Sequence, residues 1–378
     1  MSQNGGELIG MGSFGCVFSP SLRCPGEKES KENVVSKVFF SRNGKKELNN
    51  EYKQNLLIKK IKGYKEWAEV WYKKCKPSDY KKIYLEDPEI EDCLEENNIE
   101  PEDFNKIRMM LQGEYGGITF TEYMDKKFKK SIFNSEDKFT KEFLTVMKDI
   151  KNLFIGLTSM YKHSVGHNDI KSDNIVMDDN GSRFIDFGFT CKYTDKTFYR
   201  KRGVLEFITD RIYPPYPYEF IYLYTTAEVL KEHDRIDLDN GINRSLHDRY
   251  ITIHDNILGR KSKSYISDLV NHFIKEGNKI RGSVREKEII SLLDTYSLGM
   301  VILSGLCKMA KKHGKIKNIK KFIRSKKIKS FIDLFKHMTE PDSFNRINPK
   351  DAYDKYIELE KLYLTKKIND KKRTKRKN

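Results

Sequence analysis

His167-Asn168-Asp169-Ile170-Lys171-Ser172-Asp173-Asn174, followed shortly by Asp186-Phe187-Gly188, is the stretch whose reading decides the fold. Asn174 and Asp186 are hard oxygen donors of the kind magnesium takes, and a pair of them leaves room for phosphate oxygens. A separate carboxylate, Asp169, suits accepting the proton of an incoming hydroxyl, or orienting it. Any one of these residues alone is equally a turn residue or a helix cap, the usual work of Asp and Asn in loops. Their joint order points to chemistry. Between the two halves, Ile175-Val176-Met177 and Arg183-Phe184-Ile185 read as strands around Asp178-Asp179-Asn180-Gly181, where Asn-Gly signals a tight hairpin.

Working upstream, Gly10-Met11-Gly12-Ser13-Phe14-Gly15-Cys16-Val17 is a glycine-rich turn whose missing side chains let backbone N–H groups approach phosphate oxygens. A dinucleotide site needs a helix to open at such a turn, but Cys16-Val17-Phe18-Ser19-Pro20 reads as strand broken by proline. Strand-turn-strand favours a flap over nucleotide phosphates, with a purely structural hairpin as the alternative. Val34 to Phe40 reads as a strand carrying Lys37. A buried ammonium needs an anionic partner, and the helix expected over Lys45 to Ile61 offers Glu51, with Glu47 one turn earlier as the competitor. Glu51 is preferred because Leu56, Leu57 and Ile61 follow it as the expected packing face. Residues 62–106, with Trp67, Trp71 and an acidic run, fit no element and are treated as an insertion. Met109 to Glu114 reads as a strand ending at a hinge, Tyr115-Gly116-Gly117.

Downstream, Lys141 to Lys162 places Phe143, Val146, Met147, Ile150, Leu153 and Leu157 at helical spacing, and most of the chain beyond the Asn-Gly hairpin reads as helical. Tyr296 to Ala310 is apolar but interrupted by Ser297, Gly299, Ser304, Gly305 and Lys308. It reads as a core helix, and no run reaches the roughly 18 apolar residues a membrane span requires. Six cysteines lack any C-x-x-C spacing, so neither a disulfide framework nor a zinc site is expected, and a reducing compartment is. The net charge of +17 implies anionic partners without choosing among them. Its densest cluster, the Lys366 to Asn378 tail, reads as solvated, with nucleic acid or acidic protein as the expected partner.

These motifs together resemble the eukaryotic-type serine/threonine protein kinase family, whose signature is a Gly-rich loop, a strand lysine, a helix glutamate, H-R-D-L-x-x-x-N and D-F-G. The resemblance runs from about Leu8 to about Leu364. It includes Asp294-Thr295-Tyr296-Ser297-Leu298-Gly299, similar to the family's D-x-W-S-x-G, and Pro217-Tyr218-Glu219, standing where A-P-E would. It implies an α+β, two-lobed fold. Residues 1–115 would form a small antiparallel-sheet lobe with one helix, and 116–365 a larger, mostly helical lobe with an insertion at about 220–290. It also implies ATP and Mg2+ as cofactors and protein Ser/Thr hydroxyls as acceptors. Residue by residue, Asp169 is then the catalytic base and Lys171 the Ser/Thr-type lysine beside the transferring group. Lys37 holds phosphates and pairs with Glu51, while Asn174 and Asp186 bind metal. Gly10, Gly12, Ser13, Phe14, Gly15, Val17 and Glu114 surround the nucleotide. Glu219 and Arg346 form a structural ion pair.

Asn168 departs from the family by replacing the arginine that receives a phosphorylated activation loop, so constitutive activity is the simpler expectation. Thr190, Thr194, Thr197 and Tyr199 still offer hydroxyls for self-phosphorylation. Gly113, the residue before the hinge, would be an unusually small gatekeeper. The Lys/Asn/Ile-rich composition and the two long insertions resemble kinases of large cytoplasmic DNA viruses. That implies an intracellular, cytoplasmic protein in a host cell or a virion, with a nuclear address through the tail as the alternative. Two other function classes stand beside the enzyme: a pseudokinase docking scaffold, and a kinase-like enzyme for a small molecule or lipid.

Overall fold

A computed structural model describes residues 7–12, 15–39, 44–78, 109–199, 215–217, 219, 253–259, 284–340 and 342–365. The basic tail lies outside the described residues, as do 79–106 and most of 220–283. The chain divides into two compact units, residues 1–117 with 185–190, and residues 118–184 with 191–378.

The first unit is an antiparallel sheet. Strands β1 (Glu7–Gly12), β2 (Gly15–Ser19), β3 (Val34–Phe39), β4 (Lys73–Cys75) and β5 (Met109–Glu114) run in the order β1-β2-β3-β5-β4. β1 and β2 meet at the glycine turn, with Gly12 opposite Gly15. A side chain at Gly15 is excluded, because a Cβ there would sit 1.9 Å from the Val38 carbonyl oxygen. β3 is buried along its whole length, Ser36 and Lys37 included, as its Val/Phe-rich sequence allows. The register sets Lys37 between Val17 on β2 and Leu111 on β5, and Val34 opposite Glu114.

Helix α1 (Gly44–Lys59) buries Leu48, Glu51, Asn55 and Ile58. The expected packing face of Leu56 and Leu57 is corrected here: Leu56 is exposed and Leu57 half-buried. The buried stripe keeps helical spacing but contains two polar residues that the sheet and its neighbours satisfy, so counting apolar positions alone rotates the face. Leu48 packs with Phe39 and Leu111, flanked by Tyr52, Trp71 and Met109.

Part of the stretch read as an insertion also builds the sheet, since β4 pairs antiparallel with β5. A disulfide joins Cys24 to Cys75, and Cys16 is disulfide-bonded as well, which corrects the expectation of no disulfides. The pairing spans 51 residues and depends on β4 returning beside the loop after β2, which spacing along the chain does not reveal. In that loop, Glu27 accepts from Lys73 Nζ at 2.6 Å, from the Cys24 N–H at 2.7 Å and from Gln112 Nε2 at 3.1 Å. Burial pushes the Glu27 carboxyl upward, but these donors together outweigh it and hold it below its ordinary value.

The second unit is mainly helical. β6 (Ile118–Thr119) leads into α2 (Phe120–Lys127), opened by a capping box between Thr119 and Glu122. The single helix expected over Lys141 to Lys162 is two, α3 (Glu136–Asp149) and α4 (Lys151–Lys162), divided where Ile150 leaves helical backbone geometry at φ −87°, ψ 6°. Strands β7 (Val165–Gly166), β8 (Ile175–Asp178), β9 (Gly181–Phe184) and β10 (Cys191–Lys192) form a β6-β8-β9 sheet and a β7-β10 pair. The Asn180-Gly181 hairpin is present, with Gly181 at φ 111°.

Then come α5 (Val284–Ile290), α6 (Leu293–Lys312), α7 (Ile316–Phe322), α8 (Lys326–Met338) and α9 (Pro349–Leu359). Tyr356 on α9 stacks on Phe154 of α4 at 4.5 Å and donates to the Met147 carbonyl at 2.6 Å. Among the described residues one stretch, Arg285–Lys312, is long and apolar enough to cross a membrane, but 89% of its apolar window is buried inside the protein. It contains α6, whose residues Leu293 to Leu303 are all buried. That is the environment of a core helix.

Candidate active site

The first unit gathers Lys37, Glu51 and Asp186. Lys37 Nζ lies 2.9 and 3.2 Å from the two carboxylate oxygens of Glu51 and 3.7 Å from Asp186 Oδ2. Lys37 and Glu51 are only 6% and 4% exposed, so water contributes little to either charge. Burial disfavours the Lys37 ammonium most strongly, yet Asp186 and Glu51 together outweigh it and hold its pKa above the ordinary lysine value. Burial raises the Glu51 carboxyl, and Asp186 adds to the rise against the opposing pull of Lys37. Two carboxylates around one ammonium leave negative charge to spare.

Asp186 sits in the left-handed region at φ 56°, ψ 71°, which a short polar side chain tolerates, and its Oδ1 accepts from the Gly188 N–H at 3.3 Å. Glu51 is further fixed by Trp71, whose indole Nε1 donates to Oε1 at 2.7 Å. The Trp71 backbone N–H is held in turn by Asn55 Oδ1 at 3.0 Å. The same indole explains Gly113, because a Cβ there would lie 2.8 Å from Trp71 Cε3.

The second unit gathers Asp169, Lys171 and Asn174. The loop carrying them is tied to the first turn of α6, where Asp294 accepts from the backbone N–H groups of His167 at 2.6 Å and Asn168 at 2.9 Å. Burial raises the Asp294 carboxyl above its usual range. Asn174 Nδ2 donates to Asp169 Oδ2 at 2.7 Å and to the Asp169 carbonyl at 2.9 Å. Both partners are acceptors, so the NH₂ end must face them, which turns the amide oxygen of Asn174 the other way. Lys171 Nζ stands 3.4 Å from Asp169 Oδ2. Asp169 Oδ1 accepts from the Tyr216 hydroxyl.

The expected Glu219–Arg346 pair is present and fully buried, and Arg346 also donates to the carbonyls of Glu340 and Leu292 at 2.7 and 3.3 Å. Asn168, where an arginine was expected, is buried in the left-handed region at φ 63°. Its Nδ2 donates to the Gly166 carbonyl at 3.1 Å and to Cys191 Sγ at 3.4 Å, while its Oδ1 accepts from the Tyr199 hydroxyl at 3.2 Å. Burial pushes the Cys191 thiol up to about 12, so the whole set is neutral. Tyr199 and Thr190, two of the hydroxyls considered for self-phosphorylation, are buried, whereas Thr194 and Thr197 are exposed.

Of the residues expected around a nucleotide, Gly10, Gly12, Gly15 and Val17 flank the β1–β2 turn, and Glu114 ends β5 with an exposed side chain. Ser13 and Phe14 lie outside the described residues. Trp71 and Tyr216 were missed. Trp71 carries no sequence signal; Tyr216 does, being set between two prolines.

Residues 105–214 match the family model described as the protein kinase domain. The chain carries a eukaryotic-type protein kinase domain. The matched stretch of this kinase takes in β5, the loop with Asp169 and Asn174, and Asp186-Phe187-Gly188. The α+β architecture, an antiparallel sheet followed by a helical region, is kinase-like throughout the described residues. No curated protein matches the chain.

Proposed function

We propose that this kinase is catalytically active, transferring the γ-phosphate of Mg-ATP to serine and threonine hydroxyls of proteins. The observation that carries the proposal is the Asp169 carboxylate, which has one oxygen oriented by Asn174 and Lys171 and the other on a hydroxyl. A carboxylate held in this way is equipped to align an acceptor hydroxyl and take its proton.

Lys37, kept charged by Glu51, is the cation proposed for the α- and β-phosphates. The glycine turn brings backbone N–H groups to the same anion. The residues fit a magnesium ion. Asp186 is a carboxylate in a neighbourhood with surplus negative charge, and Asn174 has an amide oxygen turned away from its own hydrogen bonds. When bound, the metal supplies neutralisation of phosphate charge. Lys171 supplies positive charge beside Asp169, the basis for a Ser/Thr acceptor.

The test is transfer of labelled phosphate from Mg-ATP to a basic protein mixture, comparing wild type with Asp169→Ala and Asp186→Asn and separating the phosphoamino acids. Phosphoserine or phosphothreonine formed by wild type alone is the expected result. A fall of about 10²- to 10⁴-fold is expected for Asp169→Ala. Full activity in Asp186→Asn would sink the proposal, and ATP binding without transfer would turn the reading to a docking scaffold.

A further inference from the structure

Tyr216 brings a hydroxyl to the proposed base from within the chain. Its phenol donates to Asp169 Oδ1, while Oδ2 is engaged by Asn174 and Lys171. The residues flanking Tyr216 keep it there. Pro215 and Pro217 are buried on either side, each fixing backbone φ near about −65°. Glu219, two residues beyond Pro217, is anchored on Arg346 in the core. The phenol therefore stands where an acceptor must stand to release its proton to Asp169.

We propose that Tyr216 is a self-modification site, the chain's own first phosphoryl acceptor, and that its modification clears Asp169 for other acceptors. The proposal rests on the kinase reading above. Tyr216 Oη attacks the γ-phosphorus of ATP and forms the new O–P bond. The bond to the β,γ-bridging oxygen breaks, ADP leaves with that electron pair, and the phenolic proton passes to Asp169. A tyrosine is not the acceptor class that Lys171 favours. Tethering beside the base offsets this, because well-oriented intramolecular groups reach effective molarities of about 10⁵ M or more.

After transfer, a phosphate of about −1.5 to −2 charge would face the Asp169 carboxylate and be repelled from it. A cavity of about 280 Å3 borders Pro215 and is lined also by Ser172, Asp173, Lys308 and Lys311. Both lysines are exposed, and they outnumber the single carboxylate, so this cavity offers the displaced phosphate a cationic setting.

The test uses the full chain, treated with phosphatase, then given Mg-ATP and a basic protein acceptor. Phosphate on the Tyr216 peptide is followed by mass spectrometry over time and across dilutions, alongside labelling of the acceptor. The expected result is phosphotyrosine at 216 with a rate constant independent of dilution, and a matching lag in acceptor labelling. Pre-incubation with Mg-ATP should remove the lag, and so should Tyr216→Phe. Acceptor labelling that is linear from the start with Tyr216 unmodified overturns the proposal while leaving the kinase reading intact. Modification that slows on dilution overturns the intramolecular step. Labelling of neither overturns both.

Discussion

Replacing Trp71 with Phe keeps an aromatic ring over Gly113 and deletes one donor, the indole N–H on Glu51. Glu51 Oε1 accepts from Trp71 at 2.7 Å and from Lys37 at 3.2 Å, so the shorter of its two contacts is lost. Glu51 is 4% exposed, and water does not take the vacated place. A hydrogen bond to a charged group contributes about 1.5–3 kcal/mol, and stability should fall by that much plus a smaller loss from ring packing. Urea unfolding of wild type, Trp71→Phe, Glu51→Gln and the double variant separates the two contributions. The midpoints should shift at constant slope, and the cycle should return a coupling of about 1.5 kcal/mol or more. A coupling under about 0.5 kcal/mol would refute the assignment of Trp71 as the support of Glu51.

Arg346→Met leaves Glu219 buried without its cation and should destabilise by about 3–5 kcal/mol, whereas Arg346→Met with Glu219→Leu should recover most of that loss in thermal unfolding. The lowered pKa of Glu27 adds stability that is present above the ordinary carboxylate pKa, near 4.5, and is lost as pH falls through the folded value. Glu27→Gln should therefore flatten the acid limb of the stability curve, and an unchanged limb would exclude Glu27 as its source. Opening the Cys24–Cys75 bridge by the pair Cys24→Ser and Cys75→Ser should cost about 2–4 kcal/mol, read as a shift in urea midpoint, because it releases a long loop in the unfolded chain.

The sequence spelled out those parts of the site whose chemistry is local. Asp169, Lys171 and Asn174 lie within one turn-rich loop, and the Asn180-Gly181 hairpin has a backbone reason for its residues. The Glu219–Arg346 pair, though distant in the chain, was reachable through motif resemblance. Glu51 was chosen correctly over Glu47 but on the strength of Leu56 and Leu57, which face away. The real stripe is held by Glu51 and Asn55, polar residues whose partners come from β3 and from Trp71. Trp71, Tyr216 and the Cys24–Cys75 bridge stayed illegible for a common reason. Each acts on a residue 20 or more positions away through a sheet edge or a returning loop, and periodicity carries no record of such returns.

The neutral set formed by Asn168, Tyr199 and Cys191 carries a consequence for control. An arginine in that position would leave a cation waiting for a phosphate, and the loop's shape would follow the balance between a modifying enzyme and a phosphatase. Here the hydrogen bonds are complete on folding and bear no charge. Nothing in them can be hydrolysed away, and salt has little to screen. The shape of this loop should last as long as the folded chain does, so for this part of the kinase the off-switch is removal of the protein itself.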